Sequence, residues 1–293
     1  MHPAPSVIIF TVLSGLGLGM LAFLGIGVLD VQGVAAFMPF AIAFTFTITG
    51  LIASTFHLGN PQRAWRAFSQ WKTSWLSREA WLSAATLSVM GIFAINNIFR
   101  GITISVLGWL GAGLAMATVV STAMIYTQLK TVPRWNHWIT PIHMLTLSLA
   151  GGAILMQHTS AALVLLTCAG LAQLAHWRIG DRQFAARGHS METATGLGDR
   201  GSVRMFEPPH TGSNYLLKEM VYVVGRRHAL KLRCIAFVTI VLLPFLIVLA
   251  LPGGTLTTCF AITIFGLGTF TSRWLFFAEA EHVVALYYGK RDG

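Results

Sequence analysis

The sequence predicts an all-α protein, a polytopic membrane bundle of eight transmembrane helices with both termini on the cytoplasmic side. Three observations predict it. The 293 residues are 55% hydrophobic and only 10% charged, whereas a soluble domain carries about 25% charged residues. The apolar residues fall into runs of about the length that crosses a bilayer as a helix. The basic residues, which give a formal net charge of +10, gather in segments on one side of those runs. This composition excludes a soluble enzyme, a disordered chain and a disulfide scaffold.

The first span covers residues 6–29. The preceding Met1-His2-Pro3-Ala4-Pro5 lacks the basic segment of a signal peptide, so the span reads as retained. Gly15 and Gly19 form a GxxxG pair in it. Close approach of another helix is the plain reading of that pair, and a ligand against bare backbone is the alternative. The second span, 36–56, is turned off by Gly59-Asn60-Pro61. The third and fourth, 80–99 and 102–126, are joined by the tight turn Arg100-Gly101. The fifth and sixth cover 141–157 and 161–177. The seventh, 232–251, ends at Pro252-Gly253-Gly254, and the eighth starts at Thr255 and is expected to continue helically to Tyr288. The runs are continuous rather than alternating, which selects helices over a barrel.

An even number of spans puts both termini on one side, together with the three longer connections 57–79, 127–140 and 178–231. Those connections, the third taken with its flank as far as Arg233, and the C-terminus hold eighteen of the twenty Lys and Arg residues; Arg100 lies on the other side and Arg273 within span eight. Positive charge retained inside then makes this side cytoplasmic. Topology explains the charge excess without nucleic acid, and attraction to anionic membrane lipid adds to it. The 178–231 loop has no apolar period, so 1–293 reads as one integral membrane domain with a long cytoplasmic loop, either an ordered platform or a linker.

Several leads are excluded. Gly196-Leu197-Gly198-Asp199-Arg200-Gly201 matches GxGxxG but has neither the strand nor the apolar helix that a dinucleotide site needs. Cys168, Cys234 and Cys259 are far apart; they read as small buried apolar residues, and three cannot hold a four-cysteine iron–sulfur cluster. No helix pairs histidines at a stacked heme spacing, so no heme is expected in this chain. Nor is a metal site expected.

Ionisable residues at membrane depth are costly and are site candidates by default. His57 closes span two at the inner edge of the slab. It is either an interfacial histidine bonded to backbone or a ring that meets a membrane-soluble ligand. Arg273 lies about 27 Å along span eight from Thr255. Glu279 and His282 follow on one helix face, as a structural ion cluster or as a proton-handling wall. Trp65, Trp71, Trp75, Trp81, Trp135 and Trp138 crowd the boundary, where an aromatic belt is ordinary and one or two rings could instead stack on a flat ligand. These candidates share the cytoplasmic face, and nothing in the chain stores electrons. A quinone, a membrane-borne carrier of two electrons and two protons, would suit them, but the residues alone do not single it out.

A resemblance does. The stretch His57-Leu58-Gly59-Asn60-Pro61-Gln62-Arg63-Ala64-Trp65-Arg66-Ala67-Phe68, continuing Trp71-Lys72-Thr73-Ser74-Trp75-Leu76-Ser77-Arg78-Glu79, resembles the signature loop of the DmsC family. These are membrane-anchor subunits of molybdenum oxidoreductases. Thr131-Val132-Pro133-Arg134-Trp135, followed by Trp138-Ile139-Thr140-Pro141, resembles a second family segment. Residues 270–288 are most similar to the sulfite-dehydrogenase (SoeC-type) branch. The resemblance implies a complex in a bacterial cytoplasmic membrane. One partner carries molybdopterin, a second carries iron–sulfur clusters, and the anchor exchanges their electrons with ubiquinone or menaquinone. The anchor alone would not perform the molybdenum chemistry. The family's quinol-site histidine falls on His57. We add, from depth and chemistry, Arg273 and Trp71 at the quinone, Glu79, Glu279 and His282 for proton transfer, and Arg63, Arg66, Lys72, Arg78 and Arg134 for docking the iron–sulfur subunit. Three alternatives stand beside this reading: a quinol-oxidising anchor of a sulfoxide or N-oxide reductase, a passive anchor, and a transporter. A transporter would show midplane charges and inverted repeats, and neither is visible.

Overall fold

The computed structural model describes residues 2–28, 31–207 and 228–288, and every regular element among them is helical. Lys218, Arg226, Arg227, Lys290 and Arg291, counted above toward orientation, lie outside the described residues. So does 208–227 of the long loop.

Helix α1, Pro5–Gly25, opens on a proline at its first position, where no backbone N–H is needed. It is apolar on all sides and buried along most of its length, as a helix without a polar face must be. It is the central post. Its neighbours are α2 (Phe37–Ala53), α4 (Ser105–Thr127), α5 (Ile139–Leu155) and the last long helix. Small residues set these contacts. Ser14 and Gly17 meet Gly50 and Thr47 of α2, while Gly15, Leu16 and Gly19 meet Ser148, Gly151 and Gly152 of α5. At 3.6 residues per turn these two sets lie on opposite faces of α1. The GxxxG pair is thus a helix-packing surface.

Helix α3, Trp75–Arg100, ends on Gly101 in the left-handed region (φ 62°), the conformation that releases a chain from a helix. It packs on α4, where the Thr86 and Thr118 hydroxyls pair at 3.1 Å. Helix α6, Thr159–Ala186, runs nine residues beyond the expected end of its span at 177. Apolarity marks where the slab ends, and Arg178, Asp181 and Arg182 continue the helix beyond it. A short helix, α7 (Met191–Thr195), is closed by a capping box between Ser190 and Thr193. Helix α8, Ala229–Ala250, contains a π-turn at Val238–Leu242 just before Pro244, whose missing N–H interrupts the regular ladder.

Helix α9, Thr255–Ala278, stops at Glu279 rather than continuing to Tyr288. The chain turns, and a separate 3₁₀ segment, Val283–Tyr288, follows. Two contacts hold that segment: Val283 N–H donates to the Thr131 carbonyl (3.0 Å), and the Tyr287 hydroxyl donates to the Ala194 carbonyl (2.5 Å).

Seven of these helical stretches, each 21 residues or more, are long and apolar enough to cross a membrane. This is a multi-pass membrane protein. The eighth apolar helix, α5, has 17 residues and falls short of that length, although it lies largely buried between its neighbours. The cysteines depart from expectation: Cys168, Cys234 and Cys259 are exposed on the outer surface. In a bilayer the outer face of a bundle is as apolar as its core, so an apolar setting does not imply burial.

Candidate functional site

Helix α2 ends in a 3₁₀ turn, Ser54–His57, whose backbone is tightened by the Ser54 and Thr55 hydroxyls donating to the carbonyls of Leu51 and Ile52. Pro61 then starts a second 3₁₀ helix, Pro61–Phe68. His57 is exposed at the junction, and its ring forms no hydrogen bond with a described residue. The following loop is tied down locally. Trp81 Nε1 donates to the Phe68 carbonyl, and Arg78 donates to the carbonyls of Trp71 and Lys72 while lying over the Trp75 ring. Arg78 therefore staples the loop. Arg63, Arg66 and Lys72 are exposed, and Trp71 is 58% exposed.

Glu79 is buried between α3 and α4 and accepts a hydrogen bond from the Thr122 hydroxyl. Further round the bundle, four charged side chains from four segments interlock. Arg134 reaches Asp181 on α6 (2.5 Å) and Glu279 (3.4 Å); Arg233 on α8 reaches Asp181 (2.6 Å) and Glu279 (2.7 Å). Asp181 is half-exposed and Glu279 is almost closed off. Arg134 and Glu279 thus serve a clamp that fixes the ends of α6, α8 and α9. His282 accepts the Val284 N–H (3.0 Å) and shapes the turn after α9. Glu279→Ala should leave two guanidiniums on one half-exposed carboxylate. A destabilisation of about 3 kcal/mol is expected, the low end for breaking a buried pair. Thermal unfolding in detergent checks it, and an unchanged midpoint would mean the clamp contributes nothing.

Arg273 is 3% exposed. It stands on the α5–α9 side of α1, beside Thr11, Gly15 and Ser148, with its Cζ 5.6 Å from the Phe276 ring centre. His57 follows α2, on the opposite face of α1, so the structure does not bring His57 and Arg273 to one another. Next to Arg273 is a polar cluster that the sequence reading did not single out: His143, Gln173, His176 and Ser272. Gln173 and His176 are i,i+3 near the end of the apolar stretch of α6, the signal that could have revealed them. Trp135 is not an interfacial anchor. It is 2% exposed, stacks on Phe276 at 5.0 Å and donates to the Phe276 carbonyl (2.9 Å).

Comparison with known proteins adds the following. Residues 1–177 match the family described as the DMSO reductase anchor subunit (DmsC). The chain is 33% identical to a sulfite dehydrogenase subunit of Allochromatium vinosum, over 98% of this chain and 99% of that protein. No solved structure matches.

Proposed function

The chain belongs to the DmsC family of membrane-anchor subunits, and from that premise we propose that it is the quinone-reactive anchor of a molybdenum and iron–sulfur oxidoreductase. It would pass electrons from sulfite oxidation in the cytoplasm to membrane quinone. The observation that carries the reading is the full-length likeness to the Allochromatium vinosum sulfite dehydrogenase subunit. The long loops and both termini would face the cytoplasm of a bacterial inner membrane, where the excess of Lys and Arg argues they belong.

Quinone supplies a two-electron, two-proton acceptor that dissolves in the slab. The residues at the end of α2 fit it: an exposed imidazole without a hydrogen-bond partner among the described residues, on a loop that also carries the Trp71 ring. In this reading His57 hydrogen-bonds one carbonyl and Trp71 packs on the ring. Arg273, on the other side of α1, acts only through its charge. Glu79, buried against Thr122, handles a proton on the α3–α4 side. Glu279 and His282 lie at the clamp and the turn after α9, where a proton would enter from water. Arg63, Arg66 and Lys72 present positive charge to an iron–sulfur subunit; Arg78 acts by holding that surface in shape, and Arg134 by fixing the ends of α6, α8 and α9.

The family match over residues 1–177 carries a reductase description, so the reverse direction, quinol oxidation feeding sulfoxide or N-oxide reduction, is the second reading. Purified complex should reduce ubiquinone or menaquinone with sulfite as donor. Turnover only with quinol and a sulfoxide would select the second reading, and turnover with neither would leave a passive anchor.

A further inference from the structure

The bundle core holds a cluster that the chemistry above leaves unused. His143 on α5 and His176 on α6 are 1% and 2% exposed, and their rings stack 5.0 Å apart. Gln173 Oε1 receives the Ser272 hydroxyl (2.6 Å) and lies 2.9 Å from His143 Nε2. An amide oxygen only accepts, so His143 carries its proton on Nε2 and offers a lone pair at Nδ1. That nitrogen, both ring nitrogens of His176, and Arg273 Nε and Nη1 have no hydrogen-bond partner among the described residues. Five such atoms closed off from bulk water are costly unless something polar meets them. Imidazole lone pairs and guanidinium donors in one buried cluster are suited to internal water that shares a proton.

The surroundings limit the charge. Two imidazoles this close cannot both be cationic in a low-dielectric interior, so the pair holds at most one extra proton. Arg273 from α9, Arg134 from the segment before α5 and Arg233 from α8 lie within electrostatic reach of His176. The nearest carboxylate of the clamp, Glu279, is already shared by Arg134 and Arg233. On the α1 side the residues beside Arg273 are uncharged. The pair is therefore neutral at rest and gains a proton when negative charge arrives nearby. His176 lies about 7.5 Å along α6 from half-exposed Asp181, so the clamp marks the way in from water.

We propose that the stacked His143–His176 pair is a redox-linked proton site, which takes one proton from the Asp181 end as negative charge forms on the quinone across α1 and returns it to that end as quinol forms. This rests on the quinone reading above. Reduction consumes two electrons, delivered by the iron–sulfur partner, and two protons, drawn from water. The proton on the pair is additional to those two: its N–H bond forms as the negative charge appears and breaks as the proton returns to water, so the overall balance is unchanged.

The test uses the purified complex. His176→Phe keeps a ring stacked on Phe276 and removes both nitrogens. Sulfite-to-quinone turnover should fall at least tenfold, decline from a lower pH, and show a larger solvent deuterium isotope effect. Turnover with a soluble artificial acceptor should not change. His143→Gln, whose amide nitrogen takes the place of Nε2 and keeps a donor to Gln173 but accepts no proton, should shift the pH profile and isotope effect the same way, and it decides the matter if His176→Phe does not assemble. Unaltered turnover and pH profile in the variant that assembles, while His57→Ala loses turnover, would overturn the proton site alone. Absence of quinone reduction by the unaltered complex would overturn the quinone reading and this site together.

Discussion

Gly19→Leu should cost the protein at least about 3 kcal/mol, beyond what overpacking of a side-chain core typically costs, and should sharply reduce the folded chain recovered from membranes. A Cβ on Gly19 would overlap the Ser148 carbonyl oxygen, and a Cβ on Gly152, across the same contact, would overlap the Gly19 backbone. The obstacle is main chain on both sides, so no rotamer change relieves it. Helix α1 cannot retreat either, because its other face is locked against α2 by the Ser14–Gly50 and Gly17–Thr47 approaches. Association of helices in lipid depends on such close packing rather than on a hydrophobic driving force, so separating α1 from α5 opens the centre of the bundle. Gly91→Ala on α3 is the control. Nothing lies within 4 Å of the added Cβ, and the stability should stay within about 1 kcal/mol. Equal thermal midpoints for Gly19→Leu and the parent would show that α1 and α5 do not meet at this point.

The same glycines show what a sequence can reveal. GxxxG states that a helix will be closely approached, and the structure supplies the partner that spacing could not. The charged clamp was legible only in pieces. Arg134 and Glu279 are 145 residues apart, and Arg233 and Asp181 are 52 apart. Each charge was visible, but the pairing depends on how α6, α8 and α9 converge. Helix ends depart from the expected ones for two reasons. Apolarity reports the slab, so α6 was ended early at Trp177. The end of α9 at Glu279 is set by a tertiary pull toward two arginines. Exposure of the cysteines was invisible because lipid and core have the same polarity. His57 was legible because a histidine before Gly-Asn-Pro at a span end is conspicuous, whereas His143 and His176 lie on separate helices and only their stacking gives them meaning.

His57→Ala should lower quinone-linked turnover between tenfold and about a hundredfold, with the complex still assembled. The size follows from losing one hydrogen bond to an oxygen that gains negative charge during reduction, worth roughly 1.5–3 kcal/mol, at tenfold in rate per 1.36 kcal/mol. The variant is informative because the ring is exposed and bonds to no described residue, so its removal costs the fold nothing that a hydrogen bond would supply. The Ser54–His57 turn is held by Ser54 and Thr55 rather than by the imidazole. Membrane content and activity with a soluble acceptor should therefore match the parent. His57→Gln, which retains a donor, should recover part of the loss. Arg273→Gln makes a useful contrast. Arg273 lies across α1 from His57, so its removal should alter the pH dependence of turnover more than the apparent affinity for quinone. Normal quinone-linked turnover in an assembled His57→Ala complex would move the site away from α2 altogether, and the apolar groove between the start of α1 and α9, lined by Ile8, Ile9, Phe270 and Trp274, would become the place to look.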